Sequence, residues 1–246
     1  MRHAIAVLAA LAVLALSLTA CGAPESDRAT DGPTLRFSGI PDQDTTVLDQ
    51  KFKPVADYLA KTLGVAVEYV PTKDYQASVE AFTNGDIQFA WFGGLSGVQA
   101  RHRVAGAHAI AQGTEDPAFL SYFIAHKDAG LEASDTFPSA AKGKTFTFGS
   151  ESSTSGRLMP EHFIRENTQE APDAFFSRVA FQKNHDQTVE IVSSGAVEVG
   201  AVNSKVYDRR VAKGQTDPAV CKIIWKTPTY ADYNFTAHPK LETMFG

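Results

Sequence analysis

Ser153, Thr154 and Ser155 stand side by side directly before Gly156 in the stretch GSESSTSGRLMP, residues 149–160. Their hydroxyls are neutral hydrogen-bond donors. They precede Leu158, Met159, Phe163 and Ile164, whose spacing predicts the apolar face of a helix, and they follow the strand-like KTFTFG of residues 144–149. The hydroxyls therefore lie where a strand hands over to a helix, at the end where free backbone N–H groups and the positive pole of the dipole converge. Such a place suits the capture of a small oxyanion by neutral dipoles. Plain N-capping needs only one Ser or Thr, so the surplus of hydroxyls puts anion binding ahead of capping. A Walker phosphate loop is excluded, because no Gly-Lys-Ser/Thr follows.

The elements that must position this loop follow a βα rhythm. TLRFSGI (34–40) precedes a stripe of Phe52, Val55, Ala56, Leu59, Ala60 and Leu63 that ends at Gly64; VAVEYV (65–70), the helical YQASVEAFTNG (75–85) and IQFAWFG (87–93) come next. The second half repeats the pattern with KTFTFG, a helix after Ser155, RVAF (178–181), a helix from His185 to Ser194, VEVGAV (197–202) and KIIW (222–225). This predicts an α/β fold of mostly parallel sheets with helices on both faces. The irregular QGTEDPAFL (112–120) divides it into two lobes, with the ligand cleft between them at the carboxyl ends of strands. The expected bounds are 34–118 with 228–246 returning for the first lobe and 119–227 for the second.

With 246 residues and 43% hydrophobic content the chain can bury two cores. Its net charge of −5 argues against a nucleic-acid surface. No spacing of His, Cys or carboxylates suits a metal, and no cofactor is implied. The charged RHR (101–103) and Arg209-Arg210 read as solvated helix faces.

The N-terminus has a basic start at Arg2, a short apolar run from Ala4 to Leu18, and LTAC at Leu18 to Cys21. It resembles a bacterial lipobox: a signal peptide over 1–20, cleavage before Cys21, a lipid on that cysteine, and a flexible tether over 21–33. Cys221 is then the one cysteine left, so no intramolecular disulfide forms. Beside the apolar KIIW it reads as a buried strand residue.

DYQASVEAFTNGDIQFAWFGG (74–94), GKTFTFGSESSTSGRLMP (143–160), NHDQTVEIVSSGAVEVGAVNSKVYD (184–208) and IIWKTPTYADYNFT (223–236) resemble the phosphonate, phosphite and phosphate binding proteins of ABC importers. The resemblance covers nearly all of residues 34–240. Within that superfamily WFGG and DYNFT are most similar to a branch described as selenate-binding. It implies a two-lobed, hinge-closing periplasmic-binding-protein fold that acts as a monomer, with no enzymatic activity. Its ligand contacts carry over to Tyr75, Tyr122, Ser153, Thr154, Ser155, His185 and Asp232. The implied partners are a small oxyanion, an ABC permease, and the outer face of the cytoplasmic membrane through Cys21. Trp91 and Phe92 read as core residues with a ring edge at the cleft. Asn203 and Ser204 stand where relatives that read an aminoalkyl group carry a carboxylate, which disfavours such a ligand. Relatives also continue with further helix beyond Phe245-Gly246.

Three alternatives share these residues. A sulfate- or selenate-type ligand is one, and a lipoprotein presenting its ligand to a membrane sensor is another. Ser153, His185 and Asp232 are also the residue types of a hydrolase triad, but the nucleophile elbow Gly-x-Ser-x-Gly is absent, with Val98 in place of the last glycine in GGLSGV. The expected mechanism is closure of the lobes about crossovers near 118–122 and 226–232. An ionised Asp232 could only accept hydrogen bonds, which predicts a ligand that brings its own proton, as phosphite, phosphate and alkylphosphonates do. Cys21→Ala is expected to release the protein from membranes or leave it unprocessed. Fractionation with N-terminal sequencing checks this, and unchanged membrane retention with normal cleavage would refute the anchor.

Overall fold

The computed structural model describes residues 32–246, so the expected signal peptide and the lipidated Cys21 lie outside the described residues. The first lobe is a five-stranded sheet in the order β2-β1-β3-β10-β4, built from β1 Leu35–Gly39, β2 Val67–Tyr69, β3 Phe89–Phe92, β4 His108–Ala111 and β10 Asn234–Ala237. Its helices are α1 Thr45–Leu63, α2 Tyr75–Asn84, α3 Gly94–Arg103 and α8 Lys240–Phe245. The second sheet runs β7-β6-β8-β5-β9, with β5 Ser121–His126, β6 Thr145–Phe148, β7 Arg178–Phe181, β8 Val199–Asn203 and β9 Cys221–Lys226. The helices around it are α4 Met159–Thr168, α5 Pro172–Phe175, α6 His185–Ser193 and α7 Ser204–Ala212.

The expectation of mostly parallel sheets needs correction. β1 pairs in parallel with β2 and β3, and β6 with β7 and β8, but β10 is antiparallel to β3 and β4, and β5 to β8 and β9. The reason is topological. Strands in βαβ units end at the cleft, whereas β5 and β10 each enter their sheet from the crossover and must run the opposite way. Phe119 and Tyr230 join the two crossovers in an antiparallel bridge with reciprocal N–H···O=C bonds of 2.8 Å.

Each lobe buries its own aromatic core. In the first, Phe37, Phe52, Phe82 and Phe92 are fully buried, and the Phe52 ring lies 5.1 Å from Tyr69 and 5.6 Å from both Phe37 and Trp91. In the second, strand alternation splits the core between the two faces of the sheet. Phe123 of β5 packs with Phe137, Phe146 and Trp225 on one face. Tyr122 and Ile124 pack with Val189, Val192 and Tyr207 on the other. Cys221 is a free, buried strand thiol, and burial pushes it up to about 11, out of reach of thiolate chemistry at neutral pH.

Two expected solvated faces are corrected in part, since His102 and Arg103 are exposed as expected but Arg101 and Arg210 are not solvated. Arg101 reaches back to β10, where its Nη1 donates to Asn234 Oδ1 and Thr236 Oγ1 at 3.0 Å. Arg210 is buried and paired with Asp186 at 2.8 Å, because α7 packs that side of itself against α6. Phe52→Ala is expected to lower stability by about 3–5 kcal/mol in urea denaturation, since the aromatic cluster around it cannot collapse to refill the space. Tyr58→Ala, at 65% exposure on the same helix, should change it by no more than about 0.5 kcal/mol.

Candidate functional site

The hydroxyl loop closes into a π turn over Thr154–Leu158 that runs straight into α4. Leu158 N–H donates to the Ser153 carbonyl and Met159 N–H to that of Thr154, five residues back in each case. The widened turn divides the three hydroxyls among separate tasks. Ser153 Oγ accepts from the Gly156 N–H at 2.9 Å and caps the turn. Thr154 Oγ1 accepts from Leu95 N–H at 2.9 Å, reaching the start of α3 in the other lobe. Ser155 Oγ has no hydrogen-bond partner among the described residues, although it is buried. Gly156 is required by a close approach: a Cβ there would sit 2.9 Å from His185 Cε1 and 3.0 Å from Ser153 Oγ.

Both lobes deliver a ring to the cleft by the same local device. Asp74 caps α2 by accepting from Ala77 N–H at 2.7 Å, which makes Tyr75 the first helical residue. Asn184 caps α6 by accepting from Gln187 N–H at 2.9 Å, which does the same for His185. Each ring is almost fully buried, and neither Tyr75 Oη nor His185 Nε2 has a hydrogen-bond partner. The Tyr75 hydroxyl lies beside that of Ser153, with no hydrogen bond between them. Burial pulls the His185 pKa down to about 4, so the ring is neutral at physiological pH. Its Nδ1 accepts from the Asn203 N–H at 3.4 Å, which places the ring proton on Nε2 as a donor.

Asp232 completes the group from the second crossover. Its Oδ1 accepts from Gly94 N–H at 2.9 Å, and its Oδ2 is buried without a partner. Burial pushes this carboxyl up to about 7, opposed in part by the Gly94 N–H and by the Thr154 and Ser155 hydroxyls beside it. A Cβ on Gly93 would stand 3.2 Å from both Asp232 Oδ1 and Thr154 Oγ1, so the bare backbone is what admits these two side chains. Four buried polar atoms are thus unpartnered here: Tyr75 Oη, Ser155 Oγ, His185 Nε2 and Asp232 Oδ2. Three can donate, and the fourth can hold or yield a proton near neutrality. No Lys or Arg belongs to the group.

Of the residues expected from sequence, the structure brings together Tyr75, Ser153, Thr154, Ser155, His185 and Asp232. Tyr122 is not among them. Its hydroxyl donates to Asp208 Oδ2 at 3.2 Å on the α7 face of the second sheet, and the Lys226 ammonium lies over its ring. The crossover neighbour that points the other way is Ser121, whose hydroxyl donates to the Ser155 carbonyl at 2.6 Å and supports the loop from below.

Sequence reasoning missed the wall opposite. Asp42 is fully buried just beyond the carboxyl end of β1 and accepts from Tyr233 Oη at 3.0 Å. Tyr233 Oη in turn accepts from Asn203 Nδ2 at 2.7 Å, and the Tyr233 ring stacks on Trp91 at 4.1 Å. The position of Asp42 at a strand's carboxyl end was the available signal; Tyr233 had none beyond adjacency to Asp232. Two grooves flank this interior. One of about 750 Å³ is lined by Gly94, Leu95, Thr154, Met159 and Asp232 among others, and one of about 380 Å³ by Asp42, Lys51, Trp91, Asn203 and Tyr233 among others. Tyr75, Ser155 and His185 line neither groove and are buried between them.

Comparison with known proteins agrees with this fold. The "Probable ABC transporter phosphite binding protein PhnD1" of Prochlorococcus marinus is 39% identical over 214 residues, covering 86% of this chain and 72% of that protein. The "Phosphate-import protein PhnD" of Mycolicibacterium smegmatis is 28% identical over 265 residues, covering 99% of this chain and 81% of that protein. The crystal structure of the Prochlorococcus PhnD1 in complex with methylphosphonate superimposes with a TM-score of 0.82 at 38% identity, covering 87% of this chain and 79% of that one. The sequence model of the family described as "ABC transporter, phosphonate, periplasmic substrate-binding protein" matches residues 37–245. The chain therefore belongs to the periplasmic phosphonate substrate-binding proteins of ABC transporters, a family that binds and delivers rather than catalyses.

Proposed function

We propose that this protein captures a small tetrahedral phosphorus oxyanion, of the phosphite, methylphosphonate or phosphate kind, by closure of its lobes and hands it to an ABC permease. It does so as a monomer held at the outer face of the cytoplasmic membrane by a lipid on Cys21. The observation that carries the ligand class is the set of four unpartnered polar atoms on Tyr75, Ser155, His185 and Asp232. Buried polar groups left without hydrogen bonds are costly, so a cluster of them calls for a ligand that satisfies all at once. Three neutral donors match the oxygens of an anion, and the helix starts at Gly94 and Thr154 add dipole without a counter-charge. Relatives whose names specify phosphite and phosphate, and a relative crystallised with methylphosphonate, support the same class.

The substituent on phosphorus is small and uncharged in this reading. Asn203 carries no charge to pair with an ammonium group, and its amide is already engaged: its Oδ1 accepts from Val206 N–H at 3.0 Å and its Nδ2 donates to Tyr233. Asp42 is likewise committed to Tyr233 and to Gln43 Nε2 at 3.1 Å. Asp232 demands one proton between itself and the ligand. An oxyanion that carries a hydroxyl supplies it, which favours phosphorus ligands over sulfate or selenate. The second reading, a fully ionised selenate- or sulfate-type ligand, is favoured by one observation: with its carboxyl pushed up to about 7, Asp232 can supply that proton itself.

Thermal-shift titration against phosphite, methylphosphonate, phosphate, sulfate and selenate separates the two. A ligand at about 100 times its Kd stabilises by about 2.7 kcal/mol, and the largest shifts are expected from the phosphorus set. Ser155→Ala should weaken the best ligand by about ten- to a hundredfold in calorimetry, the cost of one lost hydrogen bond to a charged group. Parent-like affinity would mean that the Ser155 hydroxyl does not touch the ligand.

The pH dependence follows from Asp232. Its folded pKa of about 7 lies above the ordinary 3.8, so the folded protein keeps a proton that the unfolded chain has already released. Stability is therefore highest below about pH 4 as far as this group is concerned, declines as pH rises toward 7, and stays lowered above that. Asp232→Asn without ligand is expected to raise stability, read from the thermal midpoint, more at pH 8 than at pH 5, by about 2.7 kcal/mol for the two pH units between 5 and the folded pKa of about 7. The same variant should lose most of the pH dependence of phosphite binding. An equal effect at both pH values would show that Asp232 is ionised throughout.

A further inference from the structure

We propose that Asp186 is the clasp that keeps the two lobes shut and so sets how long a captured ligand stays, an inference that rests on the reading of ligand capture by lobe closure. Asp186 is the second residue of α6, 2% exposed, and its two oxygens serve different lobes. Oδ1 accepts from Arg210 Nη1 at 2.8 Å and Arg209 Nη2 at 3.1 Å, both on α7 of its own lobe. Oδ2 accepts from the backbone N–H of Asp44 at 2.9 Å, across the cleft at the start of α1. The Asp44 side chain makes no capping bond, so the free N–H at that helix start is served from the opposite lobe.

Beside this bond the His185 N–H donates to the Asp42 carbonyl at 2.9 Å. The seam thus brings α1 and α6 together N-terminus to N-terminus, with like dipole poles facing. A carboxylate set between them turns that repulsion into attraction. The arm is held ready within the second lobe, because Arg210 is also tied to Thr216 Oγ1 at 3.1 Å and Glu190 Oε1 at 3.2 Å. Asp186 touches no atom of the unpartnered set on Tyr75, Ser155, His185 and Asp232, so it acts as a positioning residue on closure.

The decisive variant is Asp44→Pro. Asp44 has φ −61°, which proline adopts without strain, and the change deletes the donor N–H while leaving Asp186 and both arginines intact. Two readouts apply to the full processed protein: phosphite dissociation by stopped-flow tryptophan fluorescence, and hydrogen exchange of the 184–188 segment without ligand. Dissociation and exchange are each expected to rise about tenfold, the weight of one hydrogen bond to a charged group, with the association rate within about twofold and the thermal midpoint near the parent's. Asp186→Asn, which leaves the backbone untouched, should move both rates the same way. If both rates match the parent's in both variants, Asp186 only neutralises its own arginines and the proposal is overturned. If the parent binds no phosphite, methylphosphonate or phosphate, the ligand reading falls, while the exchange rates still decide the clasp.

Discussion

Free N–H groups at helix starts facing one another across the cleft are the constraint on which the rest of this structure depends. A helix cannot satisfy its own first donors, and here the starts of α1, α3, α6 and the π turn before α4 meet at the seam between the lobes. Each of these starts adds the positive pole of a dipole to the seam, and the unpartnered group contains no cationic side chain. Two carboxylates answer part of that field in different ways. Asp186, balanced by arginines, serves α1, and Asp232, without a cation, serves α3 and keeps one oxygen unpaired. What remains unanswered is donor capacity gathered around Ser155, Tyr75 and His185.

The antiparallel insertions of β5 and β10 make that convergence possible. In each lobe the βαβ strands finish at the cleft, and the helices that follow them begin there. The crossovers must then enter each sheet against the grain, which places the Phe119–Tyr230 bridge and Asp232 beside the same helix starts. Alternation along β5 settles which crossover side chains can take part. Ser121 supports the hydroxyl loop, whereas Tyr122 is turned to the opposite face and spends its hydroxyl on Asp208. Burial has costs throughout this region, and they fall on titratable groups: His185 is kept neutral and Asp232 is pushed toward a shared proton.

Much of this was legible in the sequence because it is local. Apolar spacing located most of the helices and the βαβ strands, and the cluster Ser153 to Gly156 marked a helix start with more hydroxyls than a cap needs. The Asx residues before Tyr75 and His185 mark helix starts for the same reason. The short-range chemistry of caps and periods is carried by neighbours within four residues. By contrast, β4 and β10 were not read as elements, and α7 was read only as a solvated face at Arg209-Arg210, since brief strands and a charged helix leave weak periodicity.

Tertiary structure alone decided everything that depends on contact between distant residues. A period of two says that Ser121 and Tyr122 face opposite ways but not which of them looks into the cleft. Arg210 reads as solvated in a charged run until α6 lays Asp186 against it, and Asp186 meets Asp44 across 142 residues of sequence. Asp42, Asn203 and Tyr233 form one hydrogen-bonded wall from three separate segments, with no local pattern to announce it. The sequence determined the donors and the helix starts that carry them, because those are properties of single turns of chain. Which donors end up buried, paired or left open is a property of two lobes meeting, and only the packed structure sets it.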